Sequence, residues 1–336
     1  MAVSSGTGQH RAWVSVNGQR FPLLGGSVDQ AATSKSSTFS GQIPLGYTAA
    51  ELTFGTLNQN DSSIIVQTRD AEKSLVSGEI DRIDFDYIGG VISFSGRCKS
   101  AKLHEKKSSE KWVNKKHHEI VKDLAGRVGL KTDLDESTLN AGRIMQLDWS
   151  KMTDGSSYAT VIHKMAEIMG ARWWVKDDTL YMKTTDNPAG FYTITYDEGP
   201  PKTADFKQLR ISRNIQAGKS VKVNVKSFHA GKKQTFAGSY TIGGAGGTVE
   251  YNYHLPGHTQ GHVDKHAKSK AKDHARHELS VVAEMVGDPA IDVGMKLRLQ
   301  GTMFAQDFDM DSVHHAIGMS GHSMTIHAKS AKKGRS

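Results

Sequence analysis

Residues 79–97 read EIDRIDFDYIGGVISFSGR. Ile80, Arg82, Asp84 and Asp86 alternate with Asp81, Ile83, Phe85 and Tyr87, the period of two that a pleated strand imposes. Gly89-Gly90 supplies a turn, and Val91–Arg97 returns as a second strand. Working outward, Arg11–Val16 alternates around Trp13, and Asn17-Gly18 accepts the positive φ of a hairpin turn. Lys35–Pro44 places small polar residues around Phe39 and Ile43, and Ser62–Arg69 carries Ile64, Ile65 and Val66. Strands at this spacing predict a small antiparallel sandwich or barrel.

The pattern changes near residue 105. Lys106–Lys116 is a polar, basic connector, followed by a helical run with Val113, Ile120, Val121, Leu124 and Val128, which Gly129 terminates. A second helix has Asp154 as its expected cap, a stripe of Tyr158, Val161, Ile162, Met165, Ile168 and Met169, and Gly170 at its end. Arg172–Val175 and Leu180–Lys183 flank an Asp177-Asp178 turn and predict a hairpin. Strands return in Leu209–Ser212, Val221–Phe228 and Thr235–Ile242, and Gly243–Gly247 is a flexible loop. His262–Leu279 is rich in Lys, His and Ala, so a helix there is expected on a surface or in a partner groove. Met295–Leu299, Phe304–Asp309, Val313–Ile317 and Ser323–Ala328 are the last strands expected, before a basic tail. The fold class is therefore mainly β with an inserted α/β module. The expected boundaries are a first β domain at 10–105, the module at 106–199, a second β domain at 200–330 containing the His/Lys-rich helix at 262–279, and a basic tail at 331–336.

Composition excludes several classes. The 336 residues are 37% hydrophobic and 23% charged, too apolar and too mixed for a disordered chain. The single Cys98 excludes an internal disulfide framework and a four-cysteine zinc site. No secretory signal is read at the N-terminus, and no apolar run approaches the roughly 20 residues of a bilayer span, so no membrane anchor is expected. A net charge of +8 permits acidic partners but is spread along the chain.

A weak internal repeat runs at a separation of 230 residues: Lys99-Ser100-Ala101-Lys102 recurs as Lys329-Ser330-Ala331-Lys332, with Ser93 matching Ser323, Asp81 matching Asp311, Ile83 matching Val313 and Phe94 matching Met324. A duplicated β domain is one reading of it.

Catalytic signals fail on inspection. Gly218-Lys219-Ser220 resembles the end of a phosphate loop, but Arg213 stands where its first glycine belongs. Gly318-Met319-Ser320-Gly321 is followed by His322 rather than the glycine of a nucleophile elbow. His254, His258, His262 and His266 recur every four residues, with His274, His277 and the pair His117-His118 elsewhere. His262 and His266 would share a helix face, which is zinc geometry, but neighbouring lysines favour a solvated, partly protonated face. Asp81, Asp84 and Asp86 show no converging acid pair, and one of Trp173 and Trp174 is expected in a core. Basic clusters at Lys102–Lys116, Lys265–Lys272 and Lys329–Arg335 hold one aromatic among them, Trp112, too few for a stacking platform. Catalytic, cofactor and metal residues are thus expected to be none.

The order of elements resembles the late control protein D family, the baseplate hub proteins of contractile-tailed phages. Gly287-Asp288-Pro289-Ala290-Ile291-Asp292-Val293-Gly294-Met295 is similar to the family's Gly-x-Pro-x-Ile-x-x-Gly lead into its last strands. Gly301-Thr302, Phe308, Val313 and His314-His315 resemble its closing hairpins; Val76–Asp81 and Ser95-Gly96-Arg97 resemble the strand pair ending its first barrel. Glu119-Ile120-Val121, Gly129-Leu130 and Ser156–Lys183 resemble its middle module.

The resemblance implies two related antiparallel β-barrel domains per chain. It implies a structural role: a homotrimeric ring adapting the sixfold tail tube to a threefold central spike. The implied partners are the spike, the tail tube or distal tube protein, the tape measure protein and the baseplate wedge proteins, with DNA passing transiently through the lumen during ejection. The implied location is the virion baseplate, reached from the host cytoplasm during assembly. A tail-tip cell-wall hydrolase and a DNA-binding protein are the alternatives, and no enzyme activity is expected.

Overall fold

Glu72–Asp86 and Val91–Cys98 form the hairpin that the opening alternation predicts, paired from Gly78↔Cys98 to Asp86↔Val91. The computed structural model containing it describes residues 11–32, 35–46, 48–58, 61–67, 72–108, 110, 112, 115–136, 155–184, 188–229, 233–244 and 246–330. In chain order the first lobe contains β1 (Arg11–Val16), β2 (Gln19–Pro22), β3 (Gly25–Ala31), β4 (Thr38–Pro44), α1 (Thr48–Gly55), β5 (Ser62–Gln67), β6 (Glu72–Asp86) and β7 (Val91–Cys98). Alternate residues point inward, so Val14, Val16, Phe39, Ile43, Ile64, Val66, Ile92 and Phe94 make one apolar core. Phe54 of α1 closes it, with ring centroids 5.5 Å from Phe21 and 5.8 Å from Phe94.

The module follows: α2 (Ala101–Glu105), β8 (Lys107–Ser108), α3 (His117–Gly126), β9 (Lys131–Leu134), β10 (Ser156–Ser157), α4 (Tyr158–Met169), β11 (Ala171–Lys176) and β12 (Thr179–Thr184). Helix α4 buries Tyr158, Val161, Ile162, Met165 and Ile168, as its stripe predicts, and ends at Gly170 with φ 67°. Its cap is Ser157, whose Oγ accepts from the Thr160 N–H at 3.2 Å; Asp154 and Val113 lie outside the described residues. Both tryptophans are core, on opposite faces of β11: Trp173 in the module and Trp174 in the second lobe.

The rest comprises β13 (Phe191–Asp197), β14 (Thr203–Ala204), β15 (Gln208–Arg213), β16 (Ser220–His229), β17 (Gln234–Ile242), β18 (Thr248–His254), α5 (Gln260–Ala275), β19 (Leu279–Val286), β20 (Lys296–Gln300), β21 (Asp307–Gly318) and β22 (Gly321–Ser330). Strands β17-β16-β18 form a separate sheet with α5 on one face. That corrects the expected surface or partner groove for this helix. Val263, Ala267, Ala271 and Ala275 recur every four residues, and their small side chains bury against Val221, Val223 and Val225. The helix also stops at Ala275; Leu279 already begins β19.

The two lobes share a strand order. The first runs β3-β4-β7-β6-β5 and the second β15-β19-β22-β21-β20, each with antiparallel neighbours throughout. The chain visits both sets in the same sequence, the β16–β18 sheet and α5 being inserted between β15 and β19. Beyond this motif they differ, because β1 runs antiparallel to β5 whereas β13 runs parallel to β20. The lobes join through β21 and β3, paired from Ser312↔Ala31 to Ile317↔Gly26. The barrels expected from the resemblance are open: among the described residues the ladder continues from one lobe into the other, and no pairing closes either lobe on itself.

The separation of 230 residues holds for the first strand of the shared hairpin, where register shifts fall between Ile80 and Arg82 and between Met310 and Ser312. It fails for the second. Ile83 pairs with Phe94 and Val313 with Ile326, so Ile326, not Met324, corresponds to Phe94. The reason is a longer hairpin: β21–β22 continues past Ala316↔Ser323 to Gly318↔Gly321, whereas β6–β7 closes at Asp86↔Val91. The Lys-Ser-Ala-Lys match is therefore out of register by two residues, and its second copy runs beyond the described residues.

Candidate assembly surface

A β-bulge adds one unpaired residue and turns its side chain aside. In β21 that residue is Asp311. Its carboxylate meets Arg276, which follows α5; Lys329 Nζ of β22 at 3.1 Å; and Arg172 of β11 at 3.7 Å. Arg172 also donates to the Met310 carbonyl. Burial pushes the Asp311 carboxyl up, but Arg276, Lys329 and Arg172 together hold it below the usual carboxylate range. One acid thus ties the module, the α5 insert and the second lobe together. The corresponding Asp81 in β6 pairs with Arg97 Nε at 2.6 Å in the open, and Arg97 also reaches Glu105 at 2.9 Å.

The histidines expected on a solvated face divide: His254 and His277 are exposed, His258 and His266 are buried, and His262 and His274 are half-buried. His117 starts α3 fully buried, its ring centroid 6.2 Å from His262 of α5, and His258 lies 5.3 Å from His262. Burial first, then His262 and His258, push His117 down to about 3; burial and His258 push His262 down to about 4. His266 is likewise held at about 4 by burial and Lys270. His274 instead stacks on Tyr251 at 3.8 Å and its Nε2 lies 2.8 Å from the Tyr253 hydroxyl. In the second lobe His315 Nδ1 and His322 Nε2 are 3.0 Å apart, and burial pushes His315 down to about 3. Among the described residues no three His, Cys, Asp or Glu side chains are arranged to hold a metal.

The remaining sequence candidates stay apart. Arg82 pairs with Asp84 at 2.8 Å, and Asp86 Oδ1 accepts from the Ile88 and Gly89 N–H groups, so these acids serve strand and turn. Cys98 is buried with Sγ 2.9 Å from Ser100 Oγ. Gly218-Lys219-Ser220 leads into strand β16, not into the helix that a phosphate loop needs, and Gly318–Gly321 is a hairpin turn. The cavity lined by Arg172, Trp174, Lys183 and Asp309 holds about 20 Å³, as does that lined by Gln30, Ser77, Trp174 and Asp292. Such volumes admit one water-sized group, not a substrate.

What the surface offers is apolar and at equivalent places. Tyr87 and Ile88 stand exposed at the β6–β7 turn, and Met319 stands exposed at the β21–β22 turn. Among the described residues no helix is long and apolar enough to cross a membrane. Sequence reasoning found the hairpins but not their exposed tips as a pair, because the repeat was aligned out of register.

No protein-family profile matches the chain, and no curated protein matches it. Solved structures do. The chain is similar to a tail protein from Neisseria meningitidis MC58, with TM-score 0.71 at 13% identity over 96% of this chain and 97% of that one. It is similar to the 43 kDa tail protein of prophage MuSo2 from Shewanella oneidensis, with TM-score 0.69 at 11% identity over 95% and 98%. The E. coli c3393 protein, a component of the type VI secretion system with structural similarity to the T4 tail proteins gp27 and gp5, gives TM-score 0.60 at 9% identity over 95% of this chain and 77% of that one. The chain has the fold of phage tail proteins, shared with a type VI secretion component.

Proposed function

We propose that this chain is the subunit of a phage tail baseplate hub of the late control protein D kind. In this reading three chains form a ring between a sixfold tail tube and a threefold central spike. The observation that carries it is the shared strand order of the two lobes. A tube end with sixfold symmetry offers six like docking positions, and a trimer has three copies of any one patch. Two like lobes in each chain supply six. The fold likeness to tail proteins along nearly the whole chain supports the setting.

The division into a first β domain at 10–105, a module at 106–199 and a second β domain at 200–330 belongs to the same proposal. So do the partners: a separate spike protein, a tube or distal tube protein, the tape measure and the wedge proteins, with DNA passing through the lumen. The chain acts in the virion baseplate, is assembled in the host cytoplasm, and works as a structural protein with no cofactor, metal or catalytic residue. Light scattering and electron microscopy of the purified protein test this reading. A ring of three is the expected result. A chain that stays monomeric even with its tube and spike proteins overturns it.

A further inference from the structure

Strand β21 has two neighbours on the side away from β22. Its first half pairs with β20 through Asp307–Asp309, and its second half pairs with β3 through Ser312–Ile317. The equivalent strand β6 has one. Its first half pairs with β5 through Glu72–Gly78, and among the described residues no strand pairs with Arg82–Asp86 on that side. Strand β15, which stands in the second lobe where β3 stands in the first, pairs with β19 alone among the described residues. Each chain therefore has one edge that a β15 would fill and one β15 with an open edge.

We infer that the β6 edge of one chain pairs with β15 of a second copy, repeating between chains the β21–β3 seam found within one. This deepens the ring reading and rests on it. The observed ladders fix the register. Ile80 corresponds to Met310, Phe39 to Val281 and hence Val28 to Ile211. His315 pairs with Val28 in the existing seam, so Phe85 meets Ile211 in the new one, with Asp84 opposite Ser212 and Asp86 opposite Arg210.

The side chains fit that register at Phe85 and Asp86. The β6 edge carries Asp84, which Arg82 pairs at 2.8 Å, and Asp86, and β15 carries Arg210 and the Glu278-paired Arg213. In this register Phe85 meets Ile211 on the inward face and Asp86 meets Arg210 on the outward face, while Ile83 lies opposite Arg213, which Glu278 of its own chain pairs at 3.1 Å. Burial agrees as well. Val313, His315 and Val28, which flank the existing seam, are fully buried, while their counterparts Ile83, Phe85 and Ile211 are only partly covered. A second copy supplies the missing cover. Repeated around an axis, the contact alternates within and between chains.

Crosslinking tests the register. Asp84 and Ser212 are both exposed, and directly opposed residues in an antiparallel pair lie about 4.5–5.5 Å apart, within disulfide reach. Asp84→Cys and Ser212→Cys, made as separate chains, mixed and oxidised, should give a disulfide-linked pair. Asp84→Cys mixed with Gln208→Cys, about 13 Å out of register, should not. Arg210→Glu should lower the linked fraction several-fold at low salt. If light scattering shows assembly but no selective link forms, this edge is wrong and the ring reading survives. If the link forms in assemblies that are not rings of three, the edge survives and the ring reading fails. A chain that neither assembles nor crosslinks overturns both.

Discussion

The two lobes solve one packing problem with opposite side-chain choices. In the first, Phe39 faces Gly96 and Phe94 faces Gly41 across neighbouring strands. A Cβ on Gly96 would lie 2.2 Å from the Glu79 carbonyl oxygen and 2.5 Å from the Phe39 ring, and one on Gly41 would lie 2.6 Å from the Phe94 ring. In the second, the same positions hold Val281 facing Ala328 and Ile326 near Ala283, all buried. Large against none has become medium against small. The backbone order is kept while volume is shared differently, as close-packed cores permit when total volume is conserved. A duplicated motif can therefore persist where residue identity has vanished, and likeness must be sought in register.

The comparison breaks most sharply at Val313 and Ile83. Val313→Asp puts a charge into a sealed position and should cost more than about 4 kcal/mol, leaving no cooperative unfolding transition. Ile83→Asp sits at an open edge and should cost about 1–2 kcal/mol, leaving the monomer folded. Equal losses in chemical denaturation would remove the open-edge reading of β6. The bulge acids come next. Asp311→Asn leaves Arg276, Arg172 and Lys329 without their anion and should cost roughly 3–5 kcal/mol. Asp81→Asn breaks an exposed pair and should cost at most about 1 kcal/mol.

Acid should separate the halves further, because the buried His117, His262 and His266 flank the insert in the second half and have no counterpart in the first lobe's core. Their folded values lie near 3 to 4, below the ordinary 6.5. The stabilisation is thus complete above about pH 6.5 and is lost as pH falls toward 4, by roughly 3 kcal/mol for His117 alone. Urea midpoints at pH 7 and pH 4 measure it, and His117→Leu should flatten the dependence. An unchanged slope in that variant would place the acid sensitivity elsewhere. Gly41→Ala should cost about 1–3 kcal/mol of overpacking, because the added Cβ meets the Phe94 and Leu23 side chains. Adding Phe94→Ile, the second lobe's solution, should recover part of it in a double-mutant cycle.

Periodicity made much of the fold legible. The β6–β7 alternation, the α4 stripe with Gly170 and the β11–β12 hairpin are local patterns, and they form as written. Strand β18 alternates half-buried Val249, Tyr251 and Tyr253 with exposed Thr248, Glu250, Asn252 and His254, a period of two that tyrosine's polar hydroxyl masks in the sequence. The α5 helix was placed at the surface because its polar residues outnumber its alanines, although an alanine stripe every four residues was there to be seen. The histidines were read as solvated for the same reason. Nothing local distinguishes a histidine whose neighbour in space comes from a helix more than a hundred residues away, as His117 and His262 are.

By itself, the sequence determined the elements with strong local alternation, such as β6, β7 and α4, and which of their faces is apolar, since both depend on neighbours within a few residues. It also determined that no catalytic motif is complete. The tertiary structure decided the rest: that β3 crosses to β21, that the two motifs are related with a two-residue slip, that Asp311 gathers three cations, and that β6 and β15 have open edges among the described residues. Each of these joins residues far apart in the chain. Backbone pairing is made by N–H and C=O groups that every strand possesses, so the side chains say that a strand will pair but not with which strand.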